Sequence, residues 1–230
     1  MAWTASQAAS VREDRNTVSK ANNEIRDEIL YWCRESVRTG LNFNTQGNIS
    51  IRLPEHDAIV ITPSGIRYDV MTIDQMVVVG YDGVVIEGDL FPSTETDVHL
   101  AHYRRRPDIN AIVHTESPYA NMFGAVGKTI DPVLLNMVLY ARGAVRIMPF
   151  EFSTNKDFGE LSAALMGDDT NAVVWGNHGM ISVGDDVAGA FKVAVAVEAN
   201  AQVLYGALAL GTPNILALEN IVIPEGARLP

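Results

Sequence analysis

Between residues 21 and 39 apolar side chains return every fourth position, at Ile25, Ile29, Cys33 and Val37, which predicts an amphipathic helix closed by Gly40. The pattern then shortens. A polar loop at Phe43–Ser50 leads into a short strand, and Ala58–Thr62 reads as a strand ended by the Pro63-Ser64-Gly65 turn. Met76–Tyr81 and Val84–Glu87 predict a hairpin turned by Asp82-Gly83. A helix is expected after Pro92 as far as Arg105, with Thr94 and Asp97 spaced as a capping box. Downstream come a strand at Ile109–His114, helices at Ser117–Gly124 and Pro132–Tyr140, a short strand at Val145–Met148 and a helix at Asp157–Met166. Ala172–Trp175 and Met180–Val183 read as strands paired around Gly176–Gly179, and Asp186–Leu210 as a long Ala-rich helix stopped by Gly211-Thr212-Pro213. Strands that meet through turns predict one mixed α/β domain with a partly antiparallel sheet. Residues 1–19, without periodicity, are expected to form a loose arm, 20–212 the domain and 213–230 a tail.

Composition narrows the function classes. A chain of 230 residues suits one domain, and 47% hydrophobic with 20% charged residues excludes wholesale disorder. A formal net charge of −11 argues against a nucleic-acid partner, whose phosphates require clustered cations. The one basic run, Arg104-Arg105-Arg106, closes an expected helix, where cations suit the dipole. Cys33 is the only cysteine, so no internal disulfide forms, and its place on an apolar face suits a buried thiol. The first 20 residues lack the apolar core of a secretory signal. No uninterrupted apolar run reaches the roughly 18 residues of a membrane span. A soluble cytoplasmic protein without a membrane partner is expected.

Candidate chemistry concentrates in three places. His114 and Glu116 stand two apart at a strand end, so extended backbone points both to one face. His178 occupies a glycine-flanked turn, and Glu95 the first turn of a helix. These groups suit a divalent-metal site, while a strand-end histidine also serves as an ordinary core or surface residue. Glu116, ahead of Ser117-Pro118, equally suits a helix N-terminus. Gly47-Asn48, Ser64-Gly65 and Ser93-Thr94 offer backbone N–H groups and hydroxyls fit for a phosphate, although turn and capping chemistry explains the same residues.

Five motifs occur in the order and spacing of one family: Gly47-Asn48-Ile49-Ser50, Thr62-Pro63-Ser64-Gly65, Pro92-Ser93-Thr94-Glu95 followed by His99, Ala111-Ile112-Val113-His114, and Asn177-His178-Gly179. Over about residues 22–212 the chain resembles the class II aldolase/adducin family, most of all its L-fuculose-phosphate aldolase branch. The resemblance implies a three-layer α/β/α sandwich with a mixed, largely antiparallel central sheet, assembled as a homotetramer with sites between subunits. It implies a divalent ion, Zn²⁺ first, held by Glu95, His114 and His178, with Glu95 also moving a proton. Gly47, Asn48, Ser64, Gly65, Ser93 and Thr94 fall where the family cradles a substrate phosphate. Two departures stand out. The family's His-x-His is here His114-Thr115-Glu116, which makes Glu116 a fourth candidate ligand and brings in Mn²⁺, Co²⁺ or Mg²⁺. The tyrosine that this branch lends across an interface aligns loosely with Asn136, one turn from Tyr140.

The activity implied is that of a lyase, cleaving a phosphorylated ketose to dihydroxyacetone phosphate and an aldehyde through an enediolate stabilised by the metal. The alternatives are a pentulose-5-phosphate 4-epimerase or a metal-dependent decarboxylase, and, further off, a non-enzymatic adducin-like domain.

Overall fold

The computed structural model describes residues 23–53, 56–217 and 221; the arm expected over 1–19 lies outside them. Helix α1 covers residues 23–38, and Gly40 follows it with φ 75°, a left-handed conformation at the helix end. Its inward face is Arg26, Ile29, Leu30, Cys33 and Ser36, while Val37 is exposed. A strict four-residue repeat drifts around a 3.6-residue helix by roughly 40° per step, which carries the last member of the series to solvent.

Eight strands form one sheet in the order β4-β3-β2-β1-β5-β8-β7-β6. They are β1 (Asn48–Leu53), β2 (Ala58–Ile61), β3 (Val77–Gly80), β4 (Val85–Glu87), β5 (Ala111–Thr115), β6 (Ile147–Met148), β7 (Ala172–Trp175) and β8 (Gly179–Gly184). All pairings are antiparallel except β6 with β7. The helices are α2 (Thr96–Arg105), α3 (Pro118–Val126), α4 (Phe158–Met166) and α5 (Val187–Leu210). Strand alternation feeds two cores. Ala58, Val60, Val113, Val174 and Met180 join α1, α3 and α5 on one face; Ile59, Ile61, Ile112, Trp175 and Ile181 join α2 and α4 on the other. Covering both faces accounts for strands that read as nearly unbroken apolar runs. The α/β/α sandwich with a largely antiparallel sheet is thus the architecture.

Three elements differ from the sequence reading. Helix α2 begins at Thr96, with Glu95 as its N-cap and no side-chain capping bond, so the Thr94/Asp97 capping box does not form. Instead the Thr96 hydroxyl donates to the Ser93 carbonyl (2.7 Å), and Thr94 stays exposed. The helix expected at Pro132–Tyr140 is confined to Leu135 and Asn136 and a π-helical turn at Met137–Ala141, and the Asn200 amide oxygen takes the preceding Val133 and Leu134 N–H groups at 2.8 and 2.9 Å. Those donors are held outside any helical ladder. Finally, α5 has the length and mean hydropathy (1.5) of a membrane span, contrary to the count of uninterrupted apolar residues. Here it is a core helix: Val193, Ala194, Val197 and Ala201 are buried in the first core, and Glu198 accepts the Tyr119 and Ala120 N–H groups that open α3, at 2.9 Å each.

Candidate metal centre

The register of the sheet brings distant motifs to one end of its central strands. Asn48 of β1 pairs with His114 of β5, and His114 pairs with Ile181 of β8. The β7–β8 hairpin, with Trp175 opposite Gly179, projects His178 at the same end, where α2 begins with Glu95. Backbone conformation supports these approaches at two glycines. Gly47 has φ 73°, and a Cβ there would lie 2.5 Å from the His114 carbonyl and 2.3 Å from the Asn42 amide. At Gly179 a Cβ would lie 2.8 Å from the His114 ring, so only glycine lets β8 pass this close.

Glu95, His114 and His178 converge. Glu95 Oε2 lies 3.2 Å from His114 Nε2 and Oε1 lies 3.1 Å from His178 Nε2, and one donor atom from each residue falls within 4.8 Å of the others. His114 Nδ1 is 2.9 Å from the Met180 carbonyl and donates to it, which leaves Nε2 as the ring atom facing Glu95. A lone pair facing a carboxylate at this distance is repulsive unless a proton or a cation stands between them. Two imidazoles and a carboxylate, preset by backbone and amide partners, therefore fit a divalent ion. Trp175 walls the site, its ring 4.7 Å from that of His114 and 5.2 Å from that of His178.

The electrostatics agree. Burial alone would raise the Glu95 carboxyl, but His114, His178 and the Asn48 amide (Nδ2–Oε2 2.8 Å) outweigh it and hold the group well below the carboxylate range. Burial draws the His178 pKa down, yet its bond to Glu95 raises it overall. Fully buried His99 is pushed down to about 3, mainly by burial, so its ring is neutral.

A cavity of about 290 Å³ opens beside this cluster. Its lining includes all six residues read as phosphate-binding, Gly47, Asn48, Ser64, Gly65, Ser93 and Thr94, together with Glu95, His114, Glu116 and His178. Glu116 stands on the wall but outside the three-residue cluster; its Oε2 accepts from Gln46 Nε2 at 2.8 Å. Asn136 and Tyr140 line a separate groove beside α5, away from this cavity. Sequence reasoning passed over Ser153 and Tyr68, which also line the cavity. Ser153 comes from an irregular loop with no periodic signal. Tyr68 is buried behind the Ser64-Gly65 turn, and a short turn gives no sign of which way its ring folds.

Fold and site together define a class: an α/β/α protein whose His/His/Glu cluster, fit for a divalent ion, lies on the wall of a polar cavity. The model for the class II aldolase and adducin N-terminal domain matches residues 27–205, and the chain belongs to that family. It is 38% identical over 200 residues to the 5-deoxy-D-ribulose 1-phosphate aldolase of Bacillus thuringiensis serovar kurstaki, covering 85% of this chain and 92% of the relative. An L-ribulose-5-phosphate 4-epimerase of Salmonella paratyphi C is 33% identical, with 76% and 81% covered. A solved L-fuculose 1-phosphate aldolase superposes with a TM-score of 0.81 at 30% identity, covering 85% of this chain and 92% of that one. The chain is an enzyme of the class II aldolase type.

Proposed function

We propose that this enzyme cleaves a phosphorylated ketose, related to L-fuculose 1-phosphate or 5-deoxyribulose 1-phosphate, into dihydroxyacetone phosphate and an aldehyde. The observation that carries the reading is the placement of Glu95, His114 and His178 on the wall of the same cavity as the Ser64-Gly65 and Ser93-Thr94 loops. Glu95, His114 and His178 would hold a divalent ion, which would supply Lewis-acid polarisation of the substrate's carbonyl. Zn²⁺ suits two imidazoles and a carboxylate, and the nearby Glu116 also admits Mn²⁺, Co²⁺ or Mg²⁺. The loop N–H groups and hydroxyls bind the phosphate and orient the chain of carbons, so binding becomes alignment. When the C3–C4 bond breaks, its electron pair stays on C3 and the C4 hydroxyl gives up its proton as the aldehyde leaves. Glu95, ionised at the start, accepts that proton and returns it to C3, so its carboxylate is restored at the end of the cycle.

The similarity to a 4-epimerase sustains a second reading, in which the same bond is broken and remade. A metal-supplemented screen of ketose 1-phosphates and pentulose 5-phosphates, with products identified by NMR, separates the outcomes. Two carbon fragments support cleavage, one isomer supports epimerisation, and released CO₂ supports decarboxylation. We also propose a homotetramer in the cytoplasm, where an anionic sugar phosphate is retained. The exposed Val203, Tyr205, Leu208 and Leu210 in the last two turns of α5 support self-association.

A further inference from the structure

One turn beyond Glu95, α2 carries a histidine with no part in the mechanism above. His99 is fully buried, its Nε2 is 2.6 Å from Asn48 Oδ1, and its Nδ1 is 2.7 Å from Ser50 Oγ. Ser50 Oγ lies 2.9 Å from the Tyr103 hydroxyl, which also donates to the Ser50 carbonyl at 3.0 Å. At the other end Asn48 Nδ2 reaches Glu95 Oε2, the oxygen that faces His114. From Glu95 to Ser50 the donors and acceptors admit one arrangement. A metal-ligating carboxylate accepts only, so Asn48 must present its NH₂ to Glu95 and its oxygen to His99. His99 must then hold its proton on Nε2, and Nδ1 must accept from the Ser50 hydroxyl.

We propose that His99 is a positioning residue for the metal centre: its Nε2–H locks the Asn48 amide in the one orientation that steadies Glu95 Oε2 beside His114. The inference rests on the metal reading of the site and adds a residue to it. Without that donor the amide is free to turn its oxygen onto the carboxylate, replacing an attraction with a repulsion. The same geometry revises the part of Asn48. Its oxygen and one N–H are committed to His99 and Glu95, which leaves a single N–H for a ligand in the cavity. Asn48 thereby joins the anion pocket to the metal ligand. The competing explanation is that His99 merely fills the core and satisfies Ser50.

Gln and Asn at this position separate the two accounts. His99→Gln can place an amide N–H where Nε2–H stands, keeping the bond to Asn48. His99→Asn reaches only as far as Nδ1, keeping Ser50 and losing Asn48. The full-length protein, stripped with chelator, is titrated with Mn²⁺ by calorimetry, and thermal unfolding of each variant is followed in parallel. The expected result is His99→Gln within a few-fold of the wild type and His99→Asn about 10- to 100-fold weaker, the range for loss of a residue supporting a ligand. The two variants should unfold at similar temperatures. Equal losses in both, or no loss in His99→Asn, overturns the proposal. Should both histidine variants unfold, Asn48→Ala carries the test: about tenfold weaker Mn²⁺ binding is expected, and unchanged binding overturns the proposal. A wild type with no affinity for Mn²⁺ or Zn²⁺ overturns the metal reading itself, a failure distinct from an altered ranking of variants.

Discussion

Glu95 is asked to do two things at once, to hold an ion and to move a proton, and substitution can divide them. Glu95→Gln keeps the shape and the Asn48 side of the network but loses the base. Turnover should fall by about two orders of magnitude or more, while phosphate still binds in the cavity. Single-turnover kinetics alongside inorganic phosphate titration checks this, and undiminished turnover removes Glu95 from the chemistry. Gly47 presents a different demand, since its left-handed φ and its closeness to the His114 carbonyl exclude a side chain. Gly47→Ala should lower unfolding stability by about 2 kcal/mol or more, the left-handed penalty plus the shift forced on β5. Chemical denaturation measures the loss. The identities of Glu95, His114 and His178 were legible because motif order and residue chemistry coincide at each. The separation of Glu116 from the cluster was not legible. The two-residue repeat placed it correctly near the His114 face, but its tie to Gln46 is a contact seventy residues apart in sequence.

Among the elements, strands and their turns were the most readable, since apolar runs bounded by Asp82-Gly83 or Gly176–Gly179 correspond closely to β3, β4, β7 and β8. The segment at 132–141 reads as helical throughout, whereas its helical backbone is confined to 135–141 and Asn200 of α5 holds the Val133 and Leu134 N–H groups that precede it. Tertiary hydrogen bonds of that kind leave no mark on periodicity. Helix α5 acts on α3 in a similar way through Glu198. Burial raises the Glu198 carboxyl above its ordinary value, against the pull of the Tyr119 and Ala120 N–H groups. The native state therefore keeps this proton to higher pH than the unfolded chain does. Its contribution to stability is complete below the ordinary carboxylate pKa of about 4.3 and declines as pH rises through the raised value. Thermal unfolding of wild type and Glu198→Gln across roughly pH 4 to 7 tests this. The wild type should lose stability relative to the variant as pH rises, and parallel profiles contradict the assignment.

For the whole molecule, a sheet covered on both faces leaves function to one end of its central strands, where the turns and the start of α2 gather the polar groups. The exposed apolar residues on α5 are the surface offered to the proposed self-association. For a homotetramer of 25.0 kDa chains, light scattering should return a mass of about 100 kDa. A mass of one chain would remove the proposed assembly while leaving the metal centre in place. That centre is the claim on which the catalytic account depends. Its most direct test is elemental analysis of the protein purified without chelator and dialysed, wild type beside His114→Ala. The account predicts about one divalent ion per wild-type chain and a large loss in the variant. A wild type free of metal after supplementation with Zn²⁺ or Mn²⁺, or a variant that retains its full complement, would contradict it.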